Sequence, residues 1–230
     1  QRGQAVGQIC LDMERQAIQA MFRHVTNKLG AGETLPVIKA DQPQVLGSRA
    51  YNPQQVALIC ERLAPHNALA TEIAYTAGLR AHELLTLQPR SERTPDPRPA
   101  LPTKFEGRED GSRYVVTGKG GLIREVQLPS HLAARLEAQR LATPRPVTDR
   151  HVYYQQHYAI GGGQPWSMAV SRAAKAALGW STGAHGLRHA YAQERVTELQ
   201  TLEHSQKVAN ETVSQELGHF RPEITTTYLR

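Results

Sequence analysis

Leu217-Gly218-His219 is followed, nine positions after the histidine, by Tyr228. This stretch places an imidazole and a phenol close together in the sequence. A tyrosine hydroxyl has an ordinary pKa of about 10, so at neutral pH it becomes a nucleophile only when neighbouring bases and cations assist it. The stretch therefore indicates that basic and cationic partners should be sought elsewhere in the chain.

Two upstream motifs supply such partners. Arg80 lies just after a predicted helix end, where its side chain can point into a cleft, and Glu83 follows three residues later. His185 and Arg188 are also three residues apart, on one face of a predicted helix N-terminus, where the helix dipole favours anions. With a tyrosine, these groups are suited to metal-free attack on a phosphodiester, although each motif alone also fits an ordinary basic surface helix.

Three further residues allow both a structural and a functional interpretation. His189 lies four residues after His185, the spacing of two zinc ligands, but position 186 is a glycine where the metalloprotease pattern has its glutamate base. We therefore predict no metal site and expect His189 to pack or hydrogen-bond as a supporting residue. Glu83 is expected either to orient a nearby cation or to be an exposed helix charge. Lys119, in a glycine-flanked turn, is either a solvated lysine or a general acid carried into a nucleic-acid groove.

The composition is that of a globular protein with a basic charge balance. The 230 residues are 40% hydrophobic and 21% charged, with a formal net charge of +6, which favours a polyanionic partner without identifying one. No apolar run reaches the roughly 18 residues of a membrane span, and no signal sequence opens the chain. Cys10 and Cys60 are too few for a disulfide framework and wrongly spaced for zinc, so we expect a reducing, cytoplasmic location.

The apolar pattern predicts three segments. Apolar residues recur at helical spacing from Asp12 to Leu29, whereas residues 31–50 contain prolines and show no periodicity. Because one helix cannot form a domain, we interpret residues 1–30 as the terminal helix of a largely missing N-terminal domain and residues 31–50 as a linker. The start at Gln1 instead of Met is consistent with a piece of a longer protein. Residues 51–230 are predicted to form the main domain.

The main domain is predicted to have an α+β fold, mostly helical, with one small antiparallel sheet. Residues 113–117 and 122–128 alternate as the two strands of a hairpin. Residues 88–111 and 143–165 are predicted to be loops. Helices are predicted from capping residues and apolar spacing, from Asn52, through Leu69 to Gly78, and over residues 130–141, 167–178, 185–199, 205–217 and 222–229.

Taken in order, these motifs resemble those of the tyrosine recombinase (phage integrase) family, over roughly residues 52–230. The residues that match the catalytic set of the family are Arg80, Lys119, His185, Arg188, His219 and Tyr228. Residues 1–30 and 31–50 are similar to the last helix of the family's core-binding domain and to its interdomain linker. All five motifs occur in the family's order, which makes a chance match a poor explanation.

The resemblance implies a site-specific recombinase that cleaves and rejoins double-stranded DNA through a 3′-phosphotyrosine, without metal or cofactor, for integration or excision of a mobile element. Tyr228 would attack the phosphodiester, while Arg80 and Arg188 would hold its non-bridging oxygens. His185 would be the general base and His219 a further phosphate donor. The family's hairpin lysine, which matches Lys119, would protonate the leaving 5′-oxygen. Also implied are a homotetramer on DNA, accessory DNA-bending or directionality factors, and a bacterial, nucleoid-associated location.

Three other functions remain open at the level of sequence. A type IB topoisomerase-like enzyme uses the same residue types but has no site preference. A DNA-binding module could keep the fold and lose turnover, although the intact residue set argues against it. A metal-dependent nuclease is the weakest alternative because the zinc pattern is incomplete.

Overall fold

The computed structural model describes residues 7–41 and 47–229 and divides the chain into two compact units, Gln1–Gly47 and Ser48–Arg230. In the first unit, α1 spans Gln8–His24. It ends five residues before the predicted Leu29, and Asn27 beyond it has the positive φ that is common after helix ends. Part of the predicted linker returns along this helix, since the backbone N–H of Leu35 donates to Gln19 Oε1 at 3.0 Å. Residues 42–46 of the predicted linker and residues 1–6 lie outside the described residues.

The second unit opens with two helices that fix the position of Arg80. Helix α2 (Pro53–Glu61) begins with a capping box between Asn52 and Gln55. Helix α3 (Pro65–Ala77) ends at Gly78, which has a left-handed φ of 60°. A Cβ at position 78 would lie 2.7 Å from both Tyr191 and Leu217, so the helix end requires glycine for its backbone and for its packing. The predicted helix stop at Gly78 is confirmed.

A three-stranded antiparallel sheet follows, in the order β1 (Gln88–Pro89), β2 (Ser112–Thr117), β3 (Ile123–Leu128). The predicted hairpin is confirmed, with Val116 paired to Arg124. A short 3₁₀ turn, Lys119–Gly121, joins its strands. Most of the predicted loop 88–111 is irregular, but its first two residues form β1, because they pair with Val115 and Tyr114 of β2.

A second antiparallel hairpin corrects two predictions. Helix α4 spans Ser130–Glu137, so Leu141 is not helical but belongs to β4 (Arg140–Asp149). This strand pairs with β5 (Val152–Tyr158), and the predicted loop 143–165 is therefore largely a hairpin. Its prolines indicated a loop, but in a two-stranded sheet both strands are edges, where a proline costs no ladder hydrogen bond on its outer side. Over the part of the chain that the structure describes, there are thus two small sheets instead of the predicted one.

Four helices complete the unit: α5 (Gly163–Leu178), α6 (His185–Thr201), α7 (Gln206–Glu216) and α8 (Pro222–Thr225). Helix α5 starts four residues earlier than predicted. One hydrophobic core packs α2–α5 with the three-stranded sheet, and a second packs α6, α7 and Tyr228. The mostly helical α+β prediction is confirmed. Within the described residues, no helix combines the length and apolar character needed to cross a membrane.

Candidate active site

Arg80 is held by a buried carboxylate just beyond the end of α3. Glu83, in a 3₁₀ turn spanning Glu83–Thr86, accepts the backbone N–H of Arg80 at Oε2 (2.8 Å) and its Nη1 at Oε1 (3.0 Å). The Glu83 side chain is fully buried, whereas that of Arg80 is 25% exposed. Of the two predicted roles of Glu83, the structure therefore shows the buried partner of a cation and not the exposed helix charge.

Arg124 connects Glu83 to the end of α7. Its Nη2 donates to Glu83 Oε2 at 2.8 Å, and its Nη1 donates to the carbonyl oxygen of Glu216 at 2.6 Å. The side chain is almost fully buried. At Gly218, which has a φ of 74°, a Cβ would approach Arg124 Cδ to 2.7 Å, so this glycine leaves room for the guanidinium arm. Arg124 thus ties the strand after Lys119 to the turn that carries His219.

Arg188 lies in the first turn of α6 and is fully buried. It donates to the carbonyl oxygens of Gly78 and, at 2.6 Å, of Leu217, which lock its position between the ends of α3 and α7. Its Nε donates to Tyr228 Oη across a long 3.4 Å contact. Burial and the nearby Arg80 and Arg124 lower the pKa of Arg188 to about 10, against the opposing effect of Glu83, so the guanidinium stays charged at neutral pH.

His219 contacts both predicted arginines, Arg80 and Arg188, and also Tyr228. Its Nε2 lies 2.8 Å from Arg80 Nη2, 3.1 Å from Arg188 Nη2 and 3.4 Å from Tyr228 Oη. Because guanidinium groups only donate, Nε2 is the acceptor and the proton belongs on Nδ1. That Nδ1 is buried and has no hydrogen-bond partner in the described part of the chain.

The charge environment keeps this imidazole neutral. Burial, followed by Arg188 and Arg80, lowers the pKa of His219 to about 3. For Glu83, burial raises the pKa, but the Arg124 and Arg188 guanidinium groups outweigh it and lower the pKa to about 2. The site at neutral pH therefore combines one carboxylate, three guanidinium groups and a neutral imidazole.

His185 and His189 flank the tyrosine on the side of α6. The ring centroids of His185 and His189 lie 5.5 and 4.8 Å from that of Tyr228. His189 Nδ1 also contacts the carbonyl oxygen of Tyr228 at 3.3 Å, which fits the predicted supporting role. His185 is exposed to the cleft, yet partial desolvation and Arg188 lower its pKa below the ordinary value.

Tyr228 itself is buried in the second core, in a 3₁₀ turn (Thr226–Tyr228) after α8. Its backbone is fixed by Gln193 Nε2, which donates to its carbonyl oxygen at 2.9 Å. Its ring packs against His219 and His189, and the Arg188 guanidinium lies over the same ring, 5.6 Å from its centroid. The Tyr228 hydroxyl therefore lies beside the arginine cluster of its own chain.

Lys119 lines a cleft of about 960 Å³. Arg80 and His185 line the same cleft, together with the rest of the Lys119–Gly121 turn and part of β5. The lysine is exposed and makes no contact with Tyr228 among those the structure describes. Within the described residues, no group of three or more histidine, cysteine or acidic side chains is arranged to hold a metal ion.

Arg124 is the site residue that sequence reasoning missed. The signal was present, because Arg124 shares one strand face with Val126 and Leu128, which are buried. A charged residue on the buried face of an alternating strand requires a partner, and that requirement could have identified it. Its partner Glu83, however, is 41 positions away and not visible from local pattern.

The fold is similar to those of solved site-specific recombinases and integrases. XerH recombinase bound to a palindromic difH substrate has 16% identity and a TM-score of 0.55, covering 98% of this chain and 67% of that one. The Tn1549 transposon integrase in complex with transposon right end DNA has 11% identity and a TM-score of 0.55, covering 98% and 76%. A lambda integrase dimer bound to a COC′ core site has 17% identity and a TM-score of 0.55, covering 95% and 58%.

These likenesses establish the fold, which is that of the tyrosine recombinases. The chain spans 58% of the lambda integrase and 60% of XerH in a complex with difH before cleavage, less than two thirds of either. No family model matches the chain, and no curated protein matches it.

Proposed function

We propose that this protein is a site-specific DNA recombinase that cleaves and rejoins double-stranded DNA through a covalent 3′-phosphotyrosine at Tyr228. The observation that carries the proposal is that Arg80 and Arg188 both contact His219 Nε2, while Arg188 and His219 both contact the Tyr228 hydroxyl of the same chain. Residues 51–230 would form the catalytic domain, preceded by a linker over residues 31–50 and, in residues 1–30, the terminal helix of a core-binding domain. The similar structures that contain difH, transposon-end or core-site DNA support the choice of substrate.

The arginine pair suits a transferring phosphoryl group. Arg80 and Arg188 donate to one shared acceptor, His219 Nε2, at 2.8 and 3.1 Å. A scissile phosphate would offer them two anionic oxygens, and guanidinium groups bind such oxygens through charge-assisted, bidentate hydrogen bonds. Removing one such donor from the transition state costs about 3 kcal/mol, or roughly a hundredfold in rate.

In the chemical step, Tyr228 Oη would form a bond to phosphorus while the bond to the 5′-oxygen breaks. The tyrosine proton would pass to a neutral imidazole, and Lys119 would protonate the departing 5′-oxygen. The free 5′-hydroxyl of the same or another strand then reverses the step. The energy of the cleaved bond is kept in the phosphotyrosine, so rejoining needs no ATP.

Two imidazoles are candidates for the base. The resemblance assigns this role to His185, whereas His219 Nε2 lies nearer to the hydroxyl, at 3.4 Å. For His219 to donate to phosphate, as the resemblance implies, its proton must move to Nε2 once the arginines turn to the phosphate. His185, exposed at the cleft and with a lowered pKa, is unprotonated at neutral pH and free to accept the proton.

The biological role that we propose is integration or excision of a mobile element. The active form would be a tetramer on DNA, assisted by DNA-bending or directionality factors, in a bacterial nucleoid. A type IB topoisomerase-like activity would differ in lacking a preferred DNA site.

A nicked suicide substrate tests the proposed chemistry. Duplexes with a randomised core are nicked so that the released strand diffuses away and traps the covalent complex. We expect an adduct that forms with EDTA present and is absent in Tyr228→Phe, and sequencing of the trapped duplexes should give one preferred site. An adduct that requires a divalent metal would contradict the mechanism, and trapping without a sequence preference would favour the topoisomerase-like activity.

A further inference from the structure

The turn that joins β4 and β5 contains an unusual residue pair. Arg150 and His151 have positive φ values of 48° and 64° and connect Asp149 to Val152, which are paired across the hairpin. A two-residue hairpin turn with positive φ at both positions favours Asn-Gly, because larger side chains are strained there. The chain therefore places two large basic side chains where they lower the stability of the turn.

The same turn is fixed beside the candidate active site. Asp149 is buried, and its carboxylate accepts Gln164 N at 2.7 Å and Arg150 Nε at 3.2 Å. Along β5, the Tyr154 ring lies against His82, with the centroids 6.4 Å apart. These contacts anchor the hairpin to the start of α5 and to the loop that follows Arg80.

The side chains presented by this turn are complementary to a nucleic acid. The Arg150 side chain is 61% exposed. Tyr153, the second residue of β5, is 84% exposed. Both line the cleft together with Lys119 and Arg93. Among the described residues that line it, Asp149 is the one acidic residue, and its carboxylate is already hydrogen-bonded.

We propose that the β4–β5 turn is a contact for duplex DNA. Arg150 binds a backbone phosphate, and the Tyr153 ring packs on the adjoining sugar edge. This proposal rests on the proposed function, because the same duplex presents its scissile phosphate to Arg80. The phosphate contact carries no base information, so it adds affinity for any duplex and fixes its position in the cleft.

Replacing Arg150 and His151 by the residues that the turn favours separates the effect of the pair on stability from its effect on DNA binding. We expect the Arg150→Asn, His151→Gly double variant to melt about 2–4 °C higher than the wild type, because the strain is removed. Its affinity for a random-sequence duplex should fall roughly tenfold, and the salt slope of log K should fall by about 1, because one phosphate contact is lost. Thermal melting and fluorescence anisotropy over a KCl series measure these quantities.

Arg145→Gln is the matched control, since Arg145 is an exposed arginine of the same hairpin that does not line the cleft and donates to Gln156. It should leave the affinity within about twofold. Arg150→Gln, which keeps the turn backbone, must reproduce the loss of affinity and of slope. If the wild type binds duplex DNA and Arg150→Gln binds it equally well with the same salt slope, the proposed DNA contact of the turn is wrong, and the proposed function is unaffected. Failure of the wild type to bind any duplex overturns the proposed function itself.

Discussion

Glu83 and Glu216 are both buried and both pair with arginine, but among the described residues Glu83 has three such partners and Glu216 has one. Of the two clusters, that of Glu83 opens to the cleft. Glu216 binds Arg195 Nε at 3.1 Å, Tyr191 Oη at 2.8 Å and the backbone N–H of Phe105 at 2.9 Å, and all these residues are buried. Around Glu83, by contrast, Arg80 keeps a quarter of its side chain exposed. The same ion-pair chemistry is thus fully buried in one region and leaves a cation partly exposed to the cleft in the other.

The difference explains why the chain retains both clusters. A buried ion pair adds little net stability compared with apolar packing, because desolvation offsets the attraction. The Glu216 cluster fixes the long loop 88–111 to α6 and α7, through Phe105 and Arg195. The Glu83 cluster fixes Arg80 and Arg188, which both contact His219 Nε2, and Arg188 also contacts the Tyr228 hydroxyl. Substitutions in the first should therefore affect stability, and substitutions in the second should affect both stability and catalysis.

The largest contrast is expected between Glu83→Gln and Glu216→Gln. Glu83→Gln leaves buried guanidinium charge unpaired and should lower the free energy of unfolding by about 3–5 kcal/mol. Glu216→Gln should lower it by less, because Arg195 keeps its ion pair with Glu198 at 2.9 Å. For Glu83→Gln, the rate of adduct formation per folded molecule should also fall about a hundredfold, because Arg80 and Arg188 lose the carboxylate that orients them. For Glu216→Gln the rate should stay within about threefold. Urea denaturation and single-turnover cleavage measure the two quantities, and equal rate losses would contradict the distinction.

A smaller contrast is expected between two buried arginines. Arg124→Met and Arg195→Met both remove a partner of a buried glutamate, so both should be destabilised. The Arg195 variant should lose more stability, because Glu83 keeps its contacts with Arg80 and Arg188 when Arg124 is removed. Only Arg124→Met should slow cleavage, by roughly tenfold, with the DNA concentration at half-maximal rate unchanged, because Arg124 positions Glu83 and does not line the cleft. If the Arg195 variant loses as much rate per folded molecule, Arg124 has no specific positioning role.

The smallest effect concerns pH. The unfolded chain protonates His219 below its ordinary pKa of about 6.5, whereas the folded protein does so only near pH 3, because burial and the arginines lower the pKa. The unfolded state therefore binds more protons in between, and stability should fall as the pH is lowered from 7 to 5. For His219 the loss should be about 1–2 kcal/mol. In urea denaturation, His219→Gln should lose less stability between pH 7 and pH 5 than the wild type does. An identical loss in the two proteins would rule out the neutral imidazole.

Sequence reasoning predicted the helices that carry the site, because amphipathic spacing, Gly78 and the Asn52 cap are local signals. It also selected residues that the fold brings together: Arg80 and His219 are 139 positions apart yet lie 2.8 Å from each other. What it could not provide was the partner of a buried charge. Arg124 became a site residue only once strand β3 had been placed beside Glu83 and the end of α7.

The β4–β5 hairpin was missed for a different physical reason. Pro144 and Pro146 are typical loop residues, and only a two-stranded ladder, with an open side on each strand, accommodates them. The sequence of the turn did not predict a hairpin either, since positions 150 and 151 are Arg and His, and hairpin turns favour glycine and asparagine. Local rules fail here at a segment that we propose to be functional, which is where such failures are expected.

We propose that the arginine cluster activates Tyr228 of the same chain. The most direct measurement is mass spectrometry of the protease-digested covalent complex trapped on a nicked duplex. Tyr153 and Tyr154 line the cleft, so the modified peptide discriminates between them and Tyr228 as nucleophiles. We expect a 3′-phosphonucleotide on the peptide that contains Tyr228, formed with EDTA present. A modification on Tyr153 or Tyr154, with Tyr228 unmodified, would contradict it.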